Sequence, residues 1–349
     1  MDNYTLKQEK NQEHIIEKYT IKKGKNKKFI NYIKPFISEK NLNLVNDCGS
    51  FLMFLADKNL ENRKLYGGNF CKNRFCPMCS WRLARKDSLI ITILMQYIRQ
   101  EKSKNFIFLT LTTPNVMGDL LQDEIKHLNK SFKKLIERKE VKLISRGYIR
   151  KLEVTYSKDE FITKELYEKK KQYFDIRNLK IGGRNPVYDT YNPHFHCVIA
   201  VDKGYFKKKD LYIKREKWLE LWRESTKDFS ITQVDVRKAN LDNPKQVYEL
   251  AKYSAKDSDY LISDSVFKTF YTALKGKQLL VYGGLFKEAL KLFKEGKLDK
   301  YKEKDKVKYF YMIMYKWQLK EYEEFKKRPL TDDELKRFND NYIDEIEVD

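Results

Sequence analysis

His194-Phe195-His196 lies within DTYNPHFHCVIAV and sets two of the chain's four histidines one residue apart. On an extended strand, alternation sends both imidazoles to one face and Phe195 to the other. Two neutral imidazoles side by side can ligate a divalent metal. The apolar run Val198, Ile199, Ala200 and Val201 would anchor such a strand in a core. The same pattern also fits two hydrogen-bonded surface histidines.

Cysteines make a second cluster. Of five, Cys71, Cys76 and Cys79 fall within CKNRFCPMC, and Cys48 lies upstream in the turn-like DCGS. A reducing compartment disfavours disulfides, so Cys48, Cys71, Cys76 and Cys79 are expected to hold a structural Zn²⁺ and order a loop that lacks its own core. A redox CxxC pair and unrelated core cysteines are the competing readings. Lys72, Arg74, Trp81, Arg82, Arg85 and Lys86 mix cations with aromatics around the cluster. Arg74, Arg82 and Arg85 are candidate phosphate contacts, the alternative being a solvated helix start. Cys197 follows His196 on the opposite strand face and reads as a buried apolar residue.

The third constellation is PKQVYELAKYSAK, a helix opened by Pro244. Glu249 and Tyr253 are four residues apart and share one helical face, with Lys252 and Lys256 alongside. A phenol hydroxyl can attack a phosphodiester when a metal polarises the phosphate oxygens and lysines hold them. Taken alone, a Glu-x-x-x-Tyr pair is an everyday surface pair, and Tyr248 and Tyr260 are competing tyrosines.

These residues need elements to position them. Helical spacing runs from Trp81 to Gln100 and from Leu120 to Glu137, and residues 106–113, FIFLTLTT, read as a buried strand ended by Pro114. YIRKLEVTY, residues 148–156, alternates as a strand with Glu153 on its more polar face. Residues 157–187 look like an inserted excursion, so this strand and the histidine strand can be antiparallel neighbours. A Trp/Leu helical stripe over 217–224 and a strand over 230–239 follow. The sum is an α+β fold: a central antiparallel sheet with flanking helices, a cysteine-rich zinc module and a helical C-terminal region. By segment, 1–45 reads as a basic, flexible arm, 46–100 as the zinc module and a helix, 101–265 as the domain holding the histidines and tyrosine, and 266–349 as a basic helical region with an acidic tail.

Composition narrows the partner. With 72 Lys and Arg against 50 Asp and Glu, the net charge of +22 gives a long-range field that attracts polyanions, nucleic acid first. A hydrophobic content of 41% is enough to build cores, which excludes a disordered chain. No apolar run approaches a membrane span and no signal peptide is recognisable, so a cytoplasmic protein without a membrane partner is expected.

Taken in order, CKNRFCPMC, FLTLTTP, the Glu153 strand, PHFH, ELAKYSAK and ALKGKQLLVYGGLFKEALK resemble the rolling-circle plasmid replication initiators of the HUH endonuclease superfamily, over roughly residues 45–290. The resemblance implies a ferredoxin- or RRM-like core in a nicking domain over 101–265. It also implies that His194 and His196 bind Mg²⁺ or Mn²⁺, that Tyr253 forms a 5′-phosphotyrosine link leaving a free 3′-hydroxyl, and that Glu249 helps water end the cycle. A third ligand is then wanted from an acidic residue on the adjacent strand, Glu153 in preference to Asp189. Implied partners are plasmid origin DNA, single-stranded or in a hairpin at the nick site, a host helicase and DNA polymerase, and a second copy in a homo-oligomer. Lys275 and Lys277 are candidates for origin contacts. A single-tyrosine transposase or a mobilisation relaxase would share the histidines and the tyrosine helix. A non-catalytic zinc-containing DNA-binding regulator would need neither.

Overall fold

The computed structural model describes residues 5–208, 210–239 and 255–344. Glu249, Lys252 and Tyr253, with the helix expected after Pro244, lie outside the described residues. Nine strands are described: β1 Phe51–Asp57, β2 Arg63–Gly68, β3 Lys104–Thr112, β4 Ser145–Ser157, β5 Thr190–Asp202, β6 Asp235–Lys238, β7 Leu280–Gly284, β8 Tyr309–Gln318 and β9 Glu321–Pro329. They form two antiparallel sheets, ordered β2-β1-β8-β9 and β6-β3-β5-β4-β7. The chain falls into two compact units, one of residues 1–93 and 296–349, the other of residues 94–295.

In the second unit the histidine strand β5 lies at the centre of its sheet, between β3 and β4. Its sequence explains the position. Phe195, Cys197, Val198, Ile199, Ala200 and Val201 are all buried, the near-continuous apolar run of a strand covered on both faces. The register with β4 runs from Ser157↔Thr190 to Ser145↔Val201 with a single irregularity next to Gly147, so the long excursion between the strands leaves their pairing intact. Gly147 is required there, because a Cβ would stand 2.6 Å from the Leu285 amide nitrogen. The excursion itself contains two short helices, Lys164–Lys169 and Lys171–Ile176.

One face of this sheet is packed by helices. The helix Leu121–Glu137 turns Leu121, Ile125, Leu128, Phe132 and Leu135 inward, the 3–4 spacing of an amphipathic stripe. Phe132 meets Phe195 edge-on at 5.7 Å, and the Arg150 guanidinium lies 4.3 Å over the Phe195 ring and 2.5 Å from Asn129 Oδ1. The helix Arg215–Thr226 buries Trp218, Leu221 and Trp222, and Trp222 Nε1 donates to the Thr112 carbonyl at 2.8 Å. These contacts hold β3 and β5 in a fixed register from behind.

In the first unit the segment read as a basic arm is helical over Thr5–Ile33, here α1. Tyr19, Lys23, Asn26, Phe29 and Ile33 form its buried stripe, and Tyr19 packs edge-on against Phe54 and Trp81. Lys27, Lys28 and Lys40 are exposed, and residues of this kind are why composition suggested an arm. The C-terminal segment likewise adds β8 and β9 to its helices; β8 pairs with β1 across more than 250 residues of sequence. Helix Asp332–Phe338 closes that sheet's Leu55, Met312 and Leu330 core with Phe338 and starts from a Thr331/Glu334 capping box. Among the described residues no helix is long and apolar enough to cross a membrane.

Candidate metal centres

The sheet's other face carries the first site. Thr112↔His194 and Thr110↔His196 pair across β3, and Glu153↔His194 and Lys151↔His196 pair across β4. Alternation therefore puts Thr110, Thr112, Glu153, Lys151, His194 and His196 on one face while Phe195 faces the helices. Glu153 Oε2 lies 3.1 Å from His196 Nε2 and 3.7 Å from His194 Nε2. Adjacent ligands of an octahedral Mg²⁺ or Mn²⁺ stand roughly 3 Å apart for bonds near 2.1 Å, so one carboxylate and two imidazoles fit the donor set such an ion takes.

Both imidazoles have a neighbour at Nδ1. The His194 Nδ1 donates to the Asn192 carbonyl at 3.1 Å; a carbonyl only accepts, so the proton is on Nδ1 and the Nε2 lone pair is free for a metal. Thr110 Oγ1 lies 3.2 Å from His196 Nδ1, within hydrogen-bond reach of that ring. Asn192 is in turn braced by its Nδ2 on the Thr113 carbonyl at 2.7 Å. All three side chains are largely buried, His194 and His196 being 12% and 13% exposed and Glu153 8%. Burial pushes the Glu153 carboxyl up, but the hydrogen bonds and charges that His194 and His196 supply when protonated on Nε2 outweigh it and hold the group well below the usual carboxylate range, and a cation between neutral imidazoles would act in the same direction. The carboxylate is thus ionised and ready to ligate at neutral pH.

Thr110, Asn192 and Lys151 were not singled out from sequence. Their signal was the alternation itself: they stand at the same parity as the histidines on three adjacent strands. Replacing Thr110 by valine, close in shape but without the hydroxyl, is expected to weaken metal affinity at this site by about 10-fold or more, the usual cost of losing a ligand's hydrogen-bond partner. Titration of Mn²⁺ followed by its paramagnetic resonance signal reads this directly; unchanged affinity would remove Thr110 from the site.

Asp189, the other acidic candidate, is elsewhere. It accepts a 2.7 Å hydrogen bond from Tyr156 Oη and its amide bonds Ser157, beyond the end of β5. Tyr260 is 2% exposed and packs on Phe267 and Phe270, which withdraws it as a surface nucleophile. Lys256 is exposed next to the short helix Asp257–Tyr260.

The second site is the four-cysteine cluster of the first unit. Cys48 Sγ stands 3.6 Å from Cys76 Sγ and 3.5 Å from Cys79 Sγ, and Cys71 Sγ is 3.6 Å from Cys79 Sγ. Tetrahedral Zn²⁺ with Zn–S bonds near 2.3 Å sets its sulfurs roughly 3.8 Å apart, so the donors fit that ion closely. Hydrogen bonds within the cluster hold the Cys71 and Cys79 thiols low and push Cys48 up, and burial pushes Cys76 up. Cys48 and Cys76 are fully buried, and Cys197, in the other unit, is buried away from any ligand set.

The three arginines near the cluster part ways. Arg74 is exposed, and Arg82 stacks its guanidinium 3.6 Å over the Phe70 ring. Arg85, expected at the surface, is only 8% exposed, with its guanidinium 4.9 Å over Trp81. The cause is periodicity: residues 81 and 85 are one helical turn apart within Pro77–Glu101, and Trp81 already faces inward. Lys275 lies over Tyr271 at the end of the helix Asp264–Leu274.

The chain is similar to known proteins over most of its length. A family model described as a replication protein matches residues 62–325. A protein rep of Staphylococcus aureus is 51% identical over 250 residues, covering 72% of this chain and 97% of its own. A protein rep of a Bacillus species is 31% identical over 299 residues, 78% of this chain and 86% of its own. One of Lentilactobacillus hilgardii is 30% identical over 284 residues. No solved structure matches the chain.

Proposed function

Since the chain belongs to the replication-protein family, we propose that it initiates rolling-circle replication of a plasmid by nicking one strand of the double-strand origin, in the manner of the HUH endonucleases. The observation that carries the reading is the convergence of Glu153, His194 and His196 on one face of the central sheet. A divalent cation held there, Mg²⁺ or Mn²⁺, would supply Lewis-acid polarisation of a phosphate oxygen, an effect worth several kcal/mol.

The chain's own groups do the rest. The Tyr253 hydroxyl attacks phosphorus; its Oη–P bond forms as the P–O3′ bond breaks, its proton passes to solvent, and the leaving oxygen becomes a 3′-hydroxyl that primes polymerase. Lys252 and Lys256 hold the flanking phosphates. At termination Glu249 takes a proton from water, whose oxygen displaces Tyr253 from phosphorus. The phosphodiester energy is kept in the covalent link in between. A substrate exposed as single strand, in an extruded hairpin, gives the face room to approach the phosphate. The net charge of +22 favours DNA association in a salt-dependent way. Host helicase and polymerase would act on the opened end.

The cysteine cluster is read as a structural Zn²⁺ site. Purified protein is expected to carry one zinc, and Cys76→Ser to lose it and unfold the first unit at lower temperature, by several kcal/mol of folding energy. Absence of zinc by elemental analysis, or an unchanged melting temperature, removes this part.

The nicking reading is tested on supercoiled plasmid carrying the cognate origin. Conversion to open circles is expected with Mn²⁺ and none with chelator or with an origin-deleted plasmid. A non-catalytic zinc-containing regulator would bind the same plasmid and leave it supercoiled.

A further inference from the structure

The buried stripe of α1 has a polar centre where a packed helix ordinarily carries leucine. Lys23 is fully buried, and its Nζ donates to the Cys48 carbonyl at 2.6 Å and the Asn46 carbonyl at 3.0 Å. One turn on, Asn26, also fully buried, donates through Nδ2 to Cys76 Sγ at 3.4 Å and to the Val45 carbonyl at 3.2 Å. Among the described residues no carboxylate comes within ion-pairing distance of Lys23 Nζ. Carbonyl oxygens satisfy an ammonium's hydrogen bonds but do not balance its charge, and an unpaired buried charge costs several kcal/mol.

Asp47 acts on Lys23 only weakly, from beyond ion-pairing distance, and a larger negative charge is next to it. Four thiolates on one Zn²⁺ carry a net charge of −2 inside the first unit, and two of those thiolates belong to the residues that Lys23 and Asn26 touch. We propose that Lys23 and Asn26 are the outer shell of the tetrathiolate centre: Lys23 balances its charge, Asn26 steadies the Cys76 thiolate with an N–H···S bond, and docking of α1 and retention of the metal are therefore one coupled equilibrium. Both are positioning residues, acting through Cys48 and Cys76. The inference rests on the zinc reading above.

The same observation explains the shape of the segment. The stripe has Tyr19, which meets Phe54 and Trp81, at one end and Phe29 and Ile33 at the other, and its two polar members between them reach Cys48 and Cys76 of the cluster. A helix with this pattern fits its site well only when the site is charged.

The test uses the full-length protein with Lys23→Met and Asn26→Leu, both close in volume to the residues they replace. Zinc content, the rate of zinc transfer to a chromophoric chelator, and thermal unfolding with and without chelator are measured, followed by the thiolate-to-cobalt charge-transfer band after Co²⁺ substitution. Each variant is expected to release zinc 10- to 100-fold faster than the parent, the range that loss of outer-shell partners produces. Lys23→Met is expected to melt no lower than the parent once both are stripped of metal, because an apolar isostere in place of an uncompensated charge is neutral or stabilising. Asn26→Leu is expected to shift the charge-transfer band. In the parent, zinc removal is expected to expose α1 to limited proteolysis. If the parent carries no zinc, the metal reading itself fails. If the parent carries zinc and both variants release it at the parental rate, the zinc reading stands and the outer-shell proposal is overturned. A Lys23→Met protein that melts lower than the parent in the metal-free state also overturns it, since Lys23 would then be stabilising the fold without the metal.

Discussion

Replacing His196 by alanine is expected to slow origin nicking by about 10³-fold, while affinity for the same DNA changes by no more than a few-fold. The size follows from the several kcal/mol a metal supplies to charge developing on a phosphate, at a factor of ten per 1.36 kcal/mol. His196 is the histidine whose Nε2 is nearest Glu153, at 3.1 Å, so its loss opens the ligand set and leaves the buried carboxylate with one partner fewer. The Glu153 carboxyl, held low by both histidines against its burial, would then move up and bind metal less well. Phe195 still packs on Phe132 and Arg150 behind the strand, so the sheet is expected to stay folded. Gel-shift affinity and nicking rate, measured on one preparation across a Mn²⁺ series, separate the two effects. A variant that nicks at the parental rate would place the chemistry away from this face.

Replacing Tyr253 by phenylalanine is expected to have the larger effect, abolishing the covalent adduct and lowering nicking by on the order of 10⁴-fold or more, as removal of an enzyme's nucleophile does. The change deletes one oxygen and leaves the ring, so DNA binding and the metal content of both centres should be retained. The comparison with His196→Ala is informative in its own right. Loss of metal slows a reaction whose nucleophile is still present, so a weak adduct should persist with His196→Ala and accumulate with time, and none should form with Tyr253→Phe. Equal residual adduct in the two variants would mean that another group attacks, and Tyr248 would be the next candidate. Tyr260, buried against Phe267 and Phe270, would not.

Much of the fold was legible because short-range periodicity carried it. HFH followed by an apolar run predicts a strand with both imidazoles on one face, and β5 has that form; YIRKLEVTY predicts Glu153 on the polar face of a neighbour, and the β4–β5 register sets it directly across from His194. What was not legible depended on partners distant in sequence. Nothing in YFYMIMYKWQ states that it will pair with FLMFLAD far upstream, although β8 and β1 do so over the full length of β1. Residues 1–45 read as an arm because Lys and Asn dominate the local count, whereas α1 is tied down by a few buried positions, two of them polar: Lys23, matched to the Asn46 and Cys48 carbonyls, and Asn26, matched to the Cys76 sulfur. Arg85 misled for the converse reason: its charge suggested a surface contact, but its helical phase was fixed by Trp81. The outer partners Thr110 and Asn192 are ordinary strand residues whose roles appear only once β3 and β5 are aligned.

The most direct measurement is to trap the covalent product and identify the linked residue. Full-length protein is incubated with Mn²⁺ and a single-stranded oligonucleotide spanning the origin's nick site, the adduct is digested, and the modified peptide is sequenced by mass spectrometry. The account predicts one adduct, a 5′-phosphate on Tyr253, with a free 3′-hydroxyl on the released strand and no adduct in chelator. A link to any other residue, a 3′-phosphate product, or cleavage of equal yield without divalent metal would contradict it.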